Sequence, residues 1–172
     1  MFYEMSTRVQ PSNNYARLIF SFFTSGGICL ALISTLVPMY KGIVALAGAI
    51  LLVVGITVYS KYLASVYYYD ITKDANGTPV FVVRQIMGKR ESTLCRIDVA
   101  DIVSVTHETA AERRSHKTSA GYLKYVYTPT LMPKATSRLI VEGQYEKAEI
   151  VIENRLYAEH LLELSRSLRG EK

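Results

Sequence analysis

The sequence predicts an α-helical membrane hairpin followed by a mainly-β soluble domain that closes with one helix. Two apolar stretches predict the hairpin: residues 18–40 and residues 42–60 contain no Asp, Glu, Lys, Arg or His. From Lys61 onward, β-branched and aromatic runs alternate with turn residues, which predicts strands. The apolar spacing becomes helical again near the end of the chain, which predicts the closing helix.

Both apolar stretches are long enough to cross a bilayer. At the helical rise they extend roughly 35 Å and 29 Å, against a hydrocarbon core of about 30 Å. A cleaved signal peptide has a single shorter apolar core, and the helices of a soluble hairpin rarely avoid charge over such lengths. Two transmembrane helices are therefore the favoured interpretation, and Pro38 should help to end the first.

The flanking charges predict the topology. Arg8 and Arg17 precede the first helix, five basic residues follow the second within residues 61–90, and Lys41 lies alone in the turn. The positive-inside rule then places both termini in the cytoplasm. We therefore expect a cytoplasmic N-terminal segment at 1–17, a two-helix transmembrane hairpin at 18–63 and a β-domain with its helix at 64–172.

Small residues indicate where helices could touch. They form the spacings Ser21-x-x-x-Ser25, Gly27-x-x-x-Ala31 and Ala45-x-x-x-Ala49. Such spacings let backbones approach within the hairpin or in a homo-oligomer, but small residues are also common in membrane helices generally, and the sequence leaves these alternatives open. Neither stretch contains an ionisable side chain, which argues against an ion path.

Seven antiparallel strands are predicted after the hairpin. They cover residues 66–71, 79–86, 92–97, 102–108, 122–128, 137–142 and 148–153. Asn76-Gly77 predicts a tight type I′ turn, for which both central residues need positive φ. A further turn is expected at 143–146 and a loop at 110–120. Strand alternation directs Val103 toward the core.

A C-terminal amphipathic helix should cover the open end of the curled sheets. Its apolar stripe consists of Tyr157, Leu161, Leu164 and Leu168. Asn154 is placed to cap the first turn, because its side chain can accept a bond from a free backbone N–H. Gly170 is placed to end the helix.

Two segments carry a family resemblance: residues 68–72, YYDIT, and residues 96–105, RIDVADIVSV. With the order of elements above, the chain resembles the pleckstrin-homology-like fold, which has seven strands in two nearly orthogonal sheets and a C-terminal capping helix. It is similar in particular to small bacterial membrane proteins that place a helical hairpin before a bacterial pleckstrin-homology (bPH) domain. This resemblance implies a multi-pass protein of the bacterial cytoplasmic, or inner, membrane.

The resemblance also implies a binding or scaffolding module and not an enzyme. The expected partner is a protein bound at the cytoplasmic face of the membrane. Two alternatives stay open, a direct reader of anionic lipid and an accessory subunit of a transporter or membrane enzyme. Phosphoinositide-binding members of the wider superfamily cluster Lys and Arg around the first hairpin loop. This chain has Lys73, Asp74 and Arg84 there, so those sites are not carried over.

Basic side chains are the candidates for contact with lipid headgroups or a partner. They are Lys89, Arg90, Arg113, Arg114 and Lys117. Each basic residue near an anionic leaflet would contribute about 1 kcal/mol, whereas the alternative for all five is a solvated loop. Residues 61–172 carry 17 Lys and Arg against 14 Asp and Glu, a balance too mild to indicate nucleic acid binding.

No catalytic, cofactor-binding or metal-binding residue is predicted. The two cysteines form no Cys-x-x-Cys motif, and the three histidines lack metal-ligand spacing. Ser115 and His116 are neighbours in a polar segment, but no third group that would orient them is evident. No glycine-rich phosphate loop occurs.

Overall fold

The computed structural model describes residues 5–9, 13–118, 120–143 and 147–170. They belong to two compact units. The first lies within Pro11–Ser65, and the second combines residues of Met1–Gln10 with Val66–Lys172. The second unit therefore draws on chain from both sides of the first.

The first unit is a helical hairpin. Its elements are helix α1 (Asn14–Leu36), a 3-10 turn (Pro38–Tyr40), helix α2 (Lys41–Val58) and a π-helical turn (Tyr59–Leu63). Pro38 lies just beyond the end of α1, as the sequence predicts. Helix α1 begins before residue 18, because the Asn13 carbonyl already accepts a bond from the Arg17 N–H at 2.9 Å. The polar residues ahead of the apolar stretch thus form its first turn.

Glycines allow α1 and α2 to approach closely. A Cβ atom on Gly48 would lie 3.0 Å from the carbonyl oxygen of Gly27. A Cβ atom on Gly27 would lie 2.7 Å from Cγ of Leu52. A Cβ atom on Gly55 would lie 3.0 Å from the hydroxyl oxygen of Thr24. These glycines therefore serve the packing inside the hairpin.

The outer surface of the hairpin is apolar. In each of the spans Asn14–Leu36 and Pro38–Leu63, 11 % of the most apolar window is buried within the structure. The exposed large side chains include Leu18, Phe22, Ile28, Leu32, Leu36, Ile43, Leu46, Ile50, Val53 and Ile56. The core helix of a water-soluble protein would bury such residues. Both helices are long and apolar enough to cross a membrane.

The second unit contains two four-stranded sheets, which agrees with the predicted mainly-β domain. Sheet A has the order β1-β2-β3-β4 and sheet B the order β5-β7-β8-β6. The strands are β1 (Met5–Val9), β2 (Ser65–Lys73), β3 (Pro79–Met87), β4 (Arg90–Asp98), β5 (Ile102–Thr109), β6 (Leu123–Val126), β7 (Ala135–Glu142) and β8 (Lys147–Ile152). The structure thus has eight described strands where seven were predicted.

The additional strand is β1, which lies inside the segment 1–17. It pairs antiparallel with β2, and its register places Met5 opposite Ile71 and Val9 opposite Tyr67. Its sequence, MSTRV, is short and largely polar, so it carries little strand signal of its own. The strand forms because β2 offers it a hydrogen-bonding edge, and that edge comes from beyond the hairpin in sequence.

One strand pair is parallel, which corrects the all-antiparallel prediction. Strand β6 runs parallel to β8, with Leu123 opposite Ala148 and Val126 opposite Val151. The order β5-β7-β8-β6 places β5 and β6 at opposite edges of sheet B, both parallel to β8. The segment after β5 crosses the sheet between these edges, and His116 in that segment lies near both Glu108 on β5 and Glu149 on β8.

The predicted loop at 110–120 contains a short helix, α3 (Ala110–Ser115). Thr109 and Glu112 form a capping box, in which each side chain bonds the other residue's backbone N–H. The Thr-x-x-Glu spacing is the local signal for this helix. Its charged composition, rather than that spacing, led to the prediction of a loop.

The turns also differ in detail from the predictions. The chain does reverse at Asn76-Gly77, but Gly77 alone has positive φ, so the turn is not type I′. The turn is closed by a bond from the Gly77 N–H to the Asp74 carbonyl at 2.8 Å. Val103 is exposed, because a β-bulge shifts the register between Ile102 and Ser104. The turn predicted at 143–146 falls largely outside the described residues.

Helix α4 (Arg155–Arg169) closes the core of the second unit as predicted. Asn154 caps it through its side-chain oxygen, and Gly170 ends it in the left-handed conformation. The ring of Tyr157 packs between those of Tyr69 and Phe81, with centroid distances of 6.0 Å to each. This aromatic cluster fixes α4, at the end of the domain sequence, against β2 and β3 of sheet A.

A methyl group at Gly48 should separate the two hairpin helices. We expect Gly48→Ala to lower the free energy of unfolding of the hairpin by about 1–3 kcal/mol, because the new Cβ meets a backbone carbonyl that cannot rotate away. Gly42→Ala is the matched control, since a Cβ on Gly42 would meet no atom within 4 Å. Thermal unfolding in detergent measures both. Equal stability of the two variants would contradict the glycine-packed interface.

Candidate functional site

A buried ion cluster lies on the face of sheet B that points away from the aromatic core. Arg138 on β7 is 2 % exposed, and its Nη2 donates to Oε2 of Glu108 at 2.8 Å. Its Nη1 donates to Oε2 of Glu149, which is fully buried, at 3.0 Å. The guanidinium therefore joins β5 to β8 across the strand that separates them.

Strand alternation brings these three charges together. Arg138 lies opposite Thr106 on β5 and opposite Val151 on β8. Glu108 and Glu149 are each two residues from those positions, so their side chains point to the same face as Arg138. Leu139, the next residue along β7, points into the hydrophobic core instead.

The cluster has one more negative than positive formal charge. His116 lies over it, with Nδ1 at 3.7 Å from Oε1 of Glu108 and Nε2 at 3.8 Å from Oε2 of Glu149. His116 directly follows α3, so the cluster also fixes the end of that helix.

Helix α3 and the residues after it form a structured basic segment, defined here as residues 110–117. The capping box at its start lowers the pKa of Glu112, because Glu112 accepts hydrogen bonds from the backbone and the hydroxyl of Thr109. Arg113 and Arg114 lie in the last turn of α3, and Lys117 follows His116. Three of the five predicted contact residues thus belong to one ordered segment.

The other two predicted contact residues lie elsewhere. Lys89 lies in the β3–β4 turn of sheet A, where Gly88 has positive φ, and Arg90 is the first residue of β4. The basic side chains are therefore divided between one hairpin turn and the basic segment. Within the part of the chain that the structure describes, Lys89, Arg90, Arg114 and Lys117 make no ion pair, so all four are available to an anionic partner.

Sequence reasoning missed the three residues of the ion cluster. The signal was present on two of the strands: Glu149 lies between Ala148 and Ile150, and Arg138 precedes Leu139. Glu108 lies between two polar residues and gives no such signal. Such charges require partners when buried. Their pairing follows from the strand order of sheet B, which brings β5, β7 and β8 side by side.

The edge strand β6 presents a second feature suited to binding. It pairs with β8 on one side, and Leu123, Tyr125 and Val126 are all exposed. The rings of Tyr125 and Tyr127 are stacked, with centroids 6.1 Å apart. The Tyr127 hydroxyl donates to the carbonyl of Leu94 on β4 at 3.1 Å. An apolar edge strand of sheet B is thus held close to the edge of sheet A.

The described residues show no group of three or more metal-ligating side chains. Burial raises the pKa of the Cys95 thiol to about 11, so this cysteine is protonated and a poor nucleophile at neutral pH. Burial also raises the pKa of Glu153, against the hydrogen bonds that its side chain accepts from Thr130.

Comparison with known proteins gives no match from which a function could be transferred. No protein-family model matches the chain, and no curated protein matches it. What the domain binds is therefore inferred from the geometry of its own residues.

Removing Arg138 should strongly destabilise the domain. We expect Arg138→Met to lower its free energy of unfolding by about 3–5 kcal/mol, because two buried carboxylates lose their shared partner. Denaturant titration measures the loss. Adding Glu108→Gln and Glu149→Met to the same chain should recover most of it, since the cluster is then replaced by uncharged groups. No recovery would show that Arg138 acts through its shape and not through its charge.

Proposed function

We propose that this chain is a membrane-anchored binding and scaffolding module whose pleckstrin-homology-like domain acts, without catalysis, at the cytoplasmic face of a bacterial inner membrane. The element order supports the domain assignment. Strands β1 to β4 form one sheet, and β5, β7 and β8 form an antiparallel second sheet, followed by α4. Strands β2 to β8 fall in the seven segments expected and α4 follows them, whereas β1 is an addition and β6 is parallel to β8 where an antiparallel strand was expected.

The apolar outer surface of the hairpin is the observation that supports membrane anchoring. Large aliphatic and aromatic side chains point outward along both helices, and a lipid environment would bury them. The excess of Lys and Arg on both flanks supports a cytoplasmic domain. The same surface would also suit packing against a larger helical protein, as in an accessory subunit.

The edge strand β6 supports a protein as the partner. An unpaired strand edge offers N–H and C=O groups to a strand of another chain, and exposed apolar side chains beside it give specificity. Leu123, Tyr125 and Val126 supply those side chains.

Charges placed on β6 should abolish capture of the partner. We expect the double variant Leu123→Lys, Val126→Lys to lose proteins that co-purify with the wild-type chain from detergent-solubilised membranes. Leu168→Lys on α4 is the matched control, because Leu168 is 45 % exposed and Val126 is 46 % exposed. Affinity purification with quantitative mass spectrometry compares the three. An unchanged set of co-purified proteins would exclude β6 as the contact surface.

Direct recognition of anionic lipid is the second candidate, favoured by the basic segment. Arg113, Arg114 and Lys117 would each contribute about 1 kcal/mol near an anionic leaflet. If this candidate is right, anionic lipid in nanodiscs should slow amide exchange of residues 110–117 in the wild-type chain. The variant Arg113→Gln, Arg114→Gln, Lys117→Gln should not respond. Equal exchange in neutral and anionic nanodiscs would exclude lipid recognition by this segment.

A further inference from the structure

A cavity of about 250 Å³ lies where strands β5 and β7 meet the start of α4. Its lining comes from three short pieces of chain, residues 107–109, residues 135–137 and the pair Asn154 and Arg155. Consecutive residues of a strand point to opposite faces of its sheet, and the lining includes such residues from both strands. The cavity therefore lies at the strand ends, where side chains from both faces of sheet B can reach it. Ligand sites for drug-sized molecules usually measure about 300–1,000 Å³. This cavity is therefore suited to a small ligand and not to a lipid tail or a peptide.

One polar group in the lining has no hydrogen-bond partner. Thr136 is 4 % exposed, and its Oγ1 is buried without a partner among the described protein groups. Buried hydroxyls in folded proteins are nearly always hydrogen-bonded, and each exception calls for an explanation. A ligand in the cavity that bonds this hydroxyl provides one.

The remaining polar groups in the lining are mostly hydrogen-bond donors. Asn154 uses its side-chain oxygen to accept from the Tyr157 N–H at 3.1 Å, which leaves its side-chain NH₂ group as a donor. The first N–H groups of α4 have no acceptor within the helix, and the helix dipole favours negative charge near them. Arg155 donates through Nε to Glu159 at 2.8 Å and keeps its other N–H groups.

Two carboxylates lie at the cavity, and each has a donor partner. Oε2 of Glu108 accepts from Arg138 at 2.8 Å. Oε1 of Glu159 accepts from Arg155 at 2.8 Å and lies 3.1 Å from Nε2 of His107. His107 also lines the cavity, and its Nδ1 lies 2.9 Å from the hydroxyl oxygen of Ser137. The cavity thus combines spare donors with carboxylates that have partners of their own. An oxygen-rich anion matches this combination best.

We propose that this cavity binds a small oxyanion, with the hydroxyl of Thr136 and the guanidinium of Arg155 as its principal contacts. Carboxylates and phosphates share this chemistry, because both present several acceptor oxygens on one small group. The site lies wholly within the second unit. It is independent of the membrane anchor and of the β6 edge, so its failure would leave the proposed function untouched.

Titration of the full-length chain in detergent with inorganic phosphate and with acetate tests the proposal. Calorimetry should show saturable binding of at least one of the two anions. The anion that binds more tightly shows whether the natural ligand is a phosphate or a carboxylate. Arg155→Gln and Thr136→Val should each weaken that binding about tenfold, the effect of one lost hydrogen bond. Arg166→Gln is the matched control, because it removes the same charge from the other end of the same helix and should leave binding unchanged.

A stability measurement separates a ligand contact from a structural role of Thr136. Without added anion, Thr136→Val should unfold at the same temperature as the wild-type chain or at a higher one, because the variant removes an unpaired buried hydroxyl. A lower unfolding temperature would show that this hydroxyl supports the fold, and would overturn the proposal. Absence of saturable binding, or equal binding by all variants, would overturn it as well.

Discussion

The second sheet depends on one buried guanidinium. Arg138 is the middle member of a charge cluster that spans β5, β7 and β8, and both of its partners are buried. Buried charges cost free energy unless they are paired, so other strand registers would leave carboxylates alone in the interior. The cluster also positions His116, and through it the end of α3. The order of the basic segment thus follows from the charge pairing beneath it.

Several parts of the fold that depend on local signals were predicted from the sequence, although the Thr-x-x-Glu signal of α3 was overlooked. The length of the two uncharged stretches predicted the two apolar helices. The helical spacing of apolar residues, together with Asn154 and Gly170, predicted where α4 begins and ends. The parts that depend on distant pairing were missed. Strand β1 forms because β2 offers it an edge to pair with. Strand β6 is parallel to β8 because the chain crosses sheet B between β5 and β6. Neither relation is encoded within a few residues.

The candidate sites divide in the same way. The basic residues could be found by charge alone, and the structure assigns Arg113, Arg114 and Lys117 to one capped segment. The oxyanion cavity could not be found, because its lining residues are polar but ordinary in sequence and meet only through the register of β5 and β7. Thr136 in particular is distinguished by the partner that it lacks, which is a property of the folded chain.

The pairing of β1 with β2 has a consequence for biosynthesis. Strand β1 leaves the ribosome first, but its partner emerges only after both apolar helices have been made. Sheet A therefore cannot be completed until both helices have been synthesised. Closure of the sheet joins the two ends of the hairpin in one β-structure, so the completed sheet marks a chain whose hairpin has been made whole.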